Sequence, residues 1–136
     1  MRTLREGDKE LVPVRFSEAD LDSFAALSGD RNPIHLDEAY ARARGFEGRV
    51  VYGALIAASI SRLLGEKIPG AGCVWHSLTL EFKAPLYAGQ DAELAAVVSY
   101  WSDEHRIVKL DFELRRGAVV LARGKAQAGV ASEKAA

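Results

Sequence analysis

An aspartate and a histidine, Asp30 and His35, stand on either side of an Asn32-Pro33 pair. Pro33 fixes its own φ and pushes Asn32 out of the helical region, so the chain must turn there. Gly29 is available for the left-handed residue that commonly ends a helix. The stretch from Ser28 to Leu36 reads as a helix that stops, a rigid corner, and two proton-transfer groups carried on it. An acid and an imidazole held near each other can move protons in opposite senses within one turnover, which addition of water to a double bond requires. If that bond is conjugated to a thioester, charge develops on the carbonyl oxygen and needs a preorganised donor.

A donor is available downstream. The segment from Gly53 to Leu64 is apolar nearly all round, small over much of its surface, and followed by Gly65, which should end it. A helix without a polar face should be wrapped on most sides. Its N-terminus at Gly53 offers free backbone N–H groups and the positive end of a dipole in a dry site. A glycine there also permits close approach to the backbone.

The remaining elements must position these two features. Glu10 to Phe16 suits a short strand with Val12, Val14 and Phe16 on one side. Ser17 and Asp20 form a capping-box pattern, and Phe16 and Leu21 are placed for a hydrophobic staple. The helix that follows should carry Leu21, Phe24, Ala25 and Leu27 on one face and stop near Ser28-Gly29. Asp37 can cap a second short helix, with Arg42 and Arg44 in its last turn and Gly45 closing it. After Gly72 the period changes. Val74 to Phe82 is rich in β-branched and aromatic residues without clean alternation, Asp91 to Trp101 forms another strand, and Arg106 to Arg115 alternates well. Val108, Leu110, Phe112 and Leu114 should face one way, and Val119 to Val130 should close a meander with Ala122, Gly124, Ala126 and Ala128 on one face.

A helix apolar all round followed by long antiparallel strands implies a sheet curled around that helix. With the N-terminal strand added, the expected class is α+β: a hot-dog fold, a curved five-stranded antiparallel sheet around the helix at 53–64. It should occupy 1–130 as one domain, with a short flexible tail at 131–136. The open edge of such a sheet makes a homodimer the expected remedy.

Composition excludes several classes. The chain has 136 residues, 49% of them hydrophobic and 27% charged, in the soluble globular range. A net charge of −1 leaves no basic surplus for nucleic acid. The run from Val50 to Ile60 is too short to span a membrane. One cysteine, Cys73, fits a reducing compartment, and with no secretory signal pattern the expected location is cytoplasmic.

Ser28-Gly29-Asp30-Arg31-Asn32-Pro33-Ile34-His35 resembles the G-D-x-N-P-x-H motif of the MaoC-like (R)-specific enoyl-CoA hydratases. The likeness extends through Val51-Tyr52-Gly53, Ser61, and Leu80-Glu81-Phe82-Lys83-Ala84-Pro85 with Gly89. It implies that Asp30 and His35 hold and activate water and that the Gly53 amide binds the thioester oxygen. It further implies that Asn32, Tyr52 and Ser61 shape the substrate site. No cofactor or metal is implied, coenzyme A being part of the acyl-CoA substrate. Tyr52 departs from the pattern, since many members have histidine there.

Other readings compete. A dehydratase acting on acyl carrier protein would use the same residues, although no basic patch is evident for so acidic a carrier. A hot-dog thioesterase would need a carboxylate, often on the buried helix, and Gly53 to Leu64 has none. A non-catalytic acyl-thioester binding module would not need Asp30 and His35. His76 and His105 lack any comparable setting, and Trp75 and Trp101 read as sheet packing. Arg42, Arg44 and Arg49 could meet coenzyme A phosphates, but cations at helix ends are ordinary.

Overall fold

The computed structural model describes residues 3–131. Beyond Ala131, the expected tail lies outside the described residues. Strand β1 (Lys9–Val14) leads into helices α1 (Glu18–Ser28), α2 (Pro33–Leu36), α3 (Glu38–Ala43) and α4 (Gly53–Glu66), followed by β2 (Cys73–Phe82), β3 (Ala92–Ser102), β4 (Ile107–Arg116) and β5 (Val119–Val130). The strands form one antiparallel sheet in the order β1-β3-β4-β5-β2, the hot-dog arrangement. Only β3, β4 and β5 form a meander. Short turns join those three, whereas the long link from Lys83 to Asp91, pinned by a bridge between Val50 and Tyr87, lets β2 sit at the opposite edge beside β5.

The face toward α4 is written in the alternation. Val108, Leu110, Phe112 and Leu114 are buried along β4, with Ala122, Ala126, Ala128 and Val130 beside them on β5. Small residues on β5 keep the sheet close. At Gly124 a β-carbon would overlap the Thr79 carbonyl oxygen and come within 3.1 Å of the Phe112 ring. Strand β2 alternates poorly because its register slips between Trp75 and Ser77, which makes His76 a bulged residue. Trp75 opposite Ala128 and Leu78 opposite Ala126 therefore share a face despite their odd spacing.

Helix α4 buries Ile56, Ser59, Ile60, Leu63 and Leu64 against the sheet. Its other side, Ala54, Ala58, Ser61 and Arg62, is exposed in the single chain, so the sheet covers one face rather than most of the circumference. The helix also continues past Gly65 to Glu66. An exposed glycine near a helix end costs only about 1 kcal/mol; the helix ends at Glu66 with Lys67 as its C-cap, donating to the Leu63 carbonyl, and Gly70, at φ +101°, turns the chain beyond it and donates its N–H to Leu64. In α1, Leu21 and Ala25 are buried and Phe24 packs on the core, but Leu27 is 85% exposed. Leu27 lies off the i, i+3, i+4 stripe that Leu21, Phe24 and Ala25 define. Among the described residues no helix is long and apolar enough to cross a membrane.

Candidate active site

The corner begins where α1 runs out. Gly29, at φ +79°, donates its N–H to the Ala25 carbonyl. From there each polar side chain holds the backbone just beyond it. The Ser28 hydroxyl accepts from the Asp30 N–H at 3.0 Å, Asp30 Oδ1 from the Asn32 N–H at 3.0 Å, and Asn32 Oδ1 from the Ile34 N–H at 3.3 Å. Pro33 follows at the start of α2, where its missing N–H costs nothing and its fixed φ suits the helix. The corner that the sequence implies is therefore itself a single helical turn, Pro33–Leu36, with His35 inside it.

Asp30 and His35 meet different surroundings. Asp30 and Asn32 are exposed in the single chain, whereas His35 is only 9% accessible. The His35 Nδ1–H donates to the Val50 carbonyl at 2.6 Å. A carbonyl oxygen only accepts, so this bond places a proton on Nδ1, and in the neutral imidazole the lone pair is then on Nε2. Asp30 has one carboxylate oxygen engaged by Asn32 and another without that tie.

The chain from Arg49 to Tyr52 is the second half of the site. Part-buried Arg49 donates from Nε to the His35 carbonyl at 2.7 Å and from Nη2 to Asp22 at 2.6 Å, with Glu18 at 4.0 Å from Nη1. The Val50 N–H donates to the Ile34 carbonyl at 3.0 Å. The Tyr52 ring stacks on the His35 imidazole, 3.9 Å between centroids and 28° between planes, and its hydroxyl donates to the Asp30 carbonyl at 2.6 Å. Burial first, and the Asp30 carboxylate second, push the Tyr52 phenol above its ordinary pKa, so it stays a donor. One short segment thus grips both sides of the corner and then becomes helix α4 without a break.

Tyr52 occupies the N-cap position of α4 but supplies no side-chain cap. Helices are usually capped by a small side chain that satisfies the leading N–H groups; here the phenol is engaged by Asp30 instead. The amides at Gly53 and Ala54 are left without a side-chain partner, the condition an oxyanion donor requires. Gly53 also sits under a ring, because a β-carbon there would lie 2.8 Å from Cζ of Phe82 and would have to displace it. The group that comes close to this glycine is the half-exposed Phe82 ring on β2, which roofs the start of α4.

The structure brings together Asp30, Asn32, His35 and Tyr52, and leads directly into Gly53. Ser61 stands two turns along α4, roughly 12 Å from Gly53 by helix rise, exposed and without a hydrogen bond to Asp30 or His35. Arg49, part-buried with its side chain largely covered, is committed to His35, Asp22 and Glu18. Arg42 pairs with Glu38 at 3.0 Å, and Arg44 lies over the Tyr40 ring. Arg49 in particular holds the site from behind, a role its neighbours in sequence do not signal because its three partners, His35, Asp22 and Glu18, lie far from it along the chain. Trp75 and Trp101 pack on the core. Burial pushes the Cys73 thiol up, which makes it a poor nucleophile. Among the described residues no three His, Cys, Asp or Glu side chains cluster to hold a metal ion.

A sheet curled on a central helix, with an aspartate–histidine corner tied to the bare N-terminus of that helix, defines the hot-dog proteins that carry a hydratase-type corner. Comparison with known proteins agrees. A model described as "MaoC like domain" matches residues 4–114. The (R)-specific enoyl-CoA hydratase of Aeromonas caviae is 34% identical over 92% of this chain and 94% of its own. The 3-hydroxybutyryl-CoA dehydratase of Methylorubrum extorquens is 37% identical over 90% of this chain and 78% of its own. A solved (R)-hydratase from A. caviae involved in PHA biosynthesis superposes with a TM-score of 0.90 at 32% identity, covering 96% of this chain and all of that one. The chain belongs to the MaoC-like dehydratase family.

Proposed function

We propose that the protein is an (R)-specific enoyl-CoA hydratase, adding water reversibly to a trans-2-enoyl-CoA to give the (3R)-3-hydroxyacyl-CoA. The observation that carries this reading is the bond from His35 Nδ1 to the Val50 carbonyl, which in the neutral imidazole leaves Nε2 as an acceptor on the same corner that carries the Asp30 carboxylate. Two acceptors can hold one water by its two hydrogens and leave an oxygen lone pair free for C3 of the enoyl group. As the C–O bond forms, one acceptor takes a water proton and the double-bond electrons move toward the thioester oxygen. The Gly53 N–H receives that charge. The proton taken from water is the one C2 needs, so delivery to C2 restores both groups and the balance is one water added.

Asn32 braces the corner in this reading by capping α2. Ser61 borders the substrate site and the acyl chain runs along α4, while Tyr52, 2% accessible, backs the corner instead of lining the site as a substrate contact. We infer a homodimer as well: β2 is an edge strand with Val74 63% and Phe82 54% exposed, and α4 shows a small-residue face beside it. A partner there would cover Asp30 and Ser61. No metal or organic cofactor enters the scheme. The thioesterase reading meets an obstacle: the nearest acid on α4, Glu66, is exposed and roughly 20 Å along the helix from Gly53.

Crotonyl-CoA tests the proposal. Loss of the conjugated absorbance without thiol release is expected. Thiol release would make the protein a thioesterase, and binding without either change a non-catalytic module. Comparison of crotonyl-CoA with its acyl-carrier-protein counterpart decides the carrier, coenzyme A being expected to give the higher kcat/KM.

A further inference from the structure

Tyr52 makes more contacts with the proposed dyad than substrate binding calls for. Its ring lies against the His35 imidazole on one side, with Phe24 4.6 Å from its centroid in a tilted contact. Its hydroxyl reaches past the ring to the Asp30 backbone. Only 2% of the residue is accessible, so it stands behind the corner and not in the space a substrate would enter. Its backbone, meanwhile, is the N-cap of the helix whose first amide is the proposed oxyanion donor, and its carbonyl accepts from the Leu55 N–H at 3.0 Å.

We propose that Tyr52 is a positioning residue that fixes the orientation of His35 relative to Asp30 and registers both against the Gly53 amide. Two independent constraints need joining at this site. The His35 ring is held at one atom by Val50, and a single hydrogen bond leaves the ring free to tilt about it. A flat partner 3.9 Å away removes that tilt and directs Nε2. The Asp30 carboxylate is aimed by its own backbone through the turn to Asn32. Holding the Asp30 carbonyl through the phenol therefore aims the acid from the same rigid group that aims the base. The ring also supports the charge cycle, since an imidazolium formed at His35 would face an aromatic π-cloud, an attractive arrangement.

The inference rests on the hydratase reading for its catalytic consequence, but not for its structural content. Tyr52→Phe keeps the stack and removes the hydroxyl; Tyr52→Leu removes both. With crotonyl-CoA the expected result is a kcat about 10-fold lower for Y52F and about 100-fold lower for Y52L, within the range proton-transfer alignment controls. KM should stay within about two-fold, because the residue does not touch substrate. Partial rescue on going from Y52L to Y52F separates the ring from the hydroxyl. An unchanged kcat in Y52F, or a raised KM with unchanged kcat in either variant, overturns the proposal. Ring nitrogen NMR provides a readout independent of turnover. His35 in the wild-type protein should show an Nδ1–H slow to exchange with water, and Y52L a faster-exchanging one as the ring tilts off the Val50 carbonyl; a wild-type exchange rate in Y52L overturns the proposal whatever the enzyme's substrate. If Y52L fails to fold, Y52F decides through kcat. A wild-type protein inert toward crotonyl-CoA would defeat the hydratase reading alone, leaving the NMR result to judge Tyr52.

Discussion

The corner at Asp30–His35 and the edge strand β2 are built on opposite terms. At the corner nearly every polar group has a protein partner: Ser28, Asp30 and Asn32 hold successive amides, while Arg49, Val50 and Tyr52 hold His35 and Asp30 from behind. Along β2 one edge is unpaired, the register slips at His76, and Val74 and Phe82 are open. Directional bonds fix angles, so they are concentrated where a proton must move along a line. Apolar surface is non-directional, so it is left where something must be covered or accommodated. The corner's bonds all come from one chain, whereas β2 presents an edge that this chain leaves open.

Breaking the corner should give the largest effect. His35→Ala removes the Nε2 acceptor and is expected to lower kcat by about 10³-fold, and Asp30→Asn by about 10²-fold, both at the scale of general acid–base catalysis. Circular dichroism should remain native in both: Asp30 is exposed, and His35→Ala takes one ring from the edge of the core without touching the sheet that carries it. Near-normal turnover in either variant would remove the dyad from the mechanism.

Arg49→Met tests whether the corner depends on its backing. The side chain is 9% exposed while Asp22 and Glu18 are 64% and 66% exposed, so the carboxylates can return to water and only the His35 carbonyl loses a buried partner. Losing one charge-assisted hydrogen bond predicts about 2 kcal/mol of stability, read by urea denaturation, together with a fall in kcat. A loss of stability with no change in kcat would make Arg49 a fold residue alone.

Gly53→Ala probes the join between the two regions. The new methyl must move the Phe82 ring, an overpacking cost of about 1–3 kcal/mol that the ring's half-exposed position should hold near the lower end. Phe82→Leu in the same chain should recover most of the lost stability. If it does not, the glycine is needed for another reason.

The corner was the more legible region because its instructions are local. Ser17 with Asp20, Gly29, Asn32-Pro33 and Asp37 each act over a few residues, and the observed caps and turn lie where those residues place them. The alternation of β4 and the bounds of β5 were legible for the same reason. What the sequence hid was set at long range. Position β2 could have occupied beside β3 was taken by β1, and nothing in the local pattern of either strand distinguishes the two edges. The bulge at His76 scrambled the parity of β2. Leu27 joined an apparent apolar face that the helix period excludes. Around the proposed site, Asp30, His35 and Gly53 were singled out from residue type and spacing and Tyr52 through the family resemblance, but the stack of Tyr52 on His35 and the ties of Arg49 to His35 and Asp22 were not legible, since each acts through partners brought near by the fold.

The smallest effect on the chain itself should come from Val74→Lys, and it bears most directly on the edge. Val74 is 63% exposed and paired only with Gly129 on β5, so its replacement should change the stability of one chain by less than about 0.5 kcal/mol. A lysine on an edge strand does oppose pairing with a second strand, because the charge would be held against an approaching backbone. Sedimentation velocity should show the wild-type protein as a dimer and Val74→Lys shifted toward monomer. The His35 ring spectrum should stay unchanged, because no bond that holds the corner comes from β2. Activity should nonetheless fall with dilution, since Asp30 and the small-residue face of α4 would lose their cover. A monomer with full turnover would show that the corner and the bare helix end suffice, and that the exposed edge serves something other than catalysis.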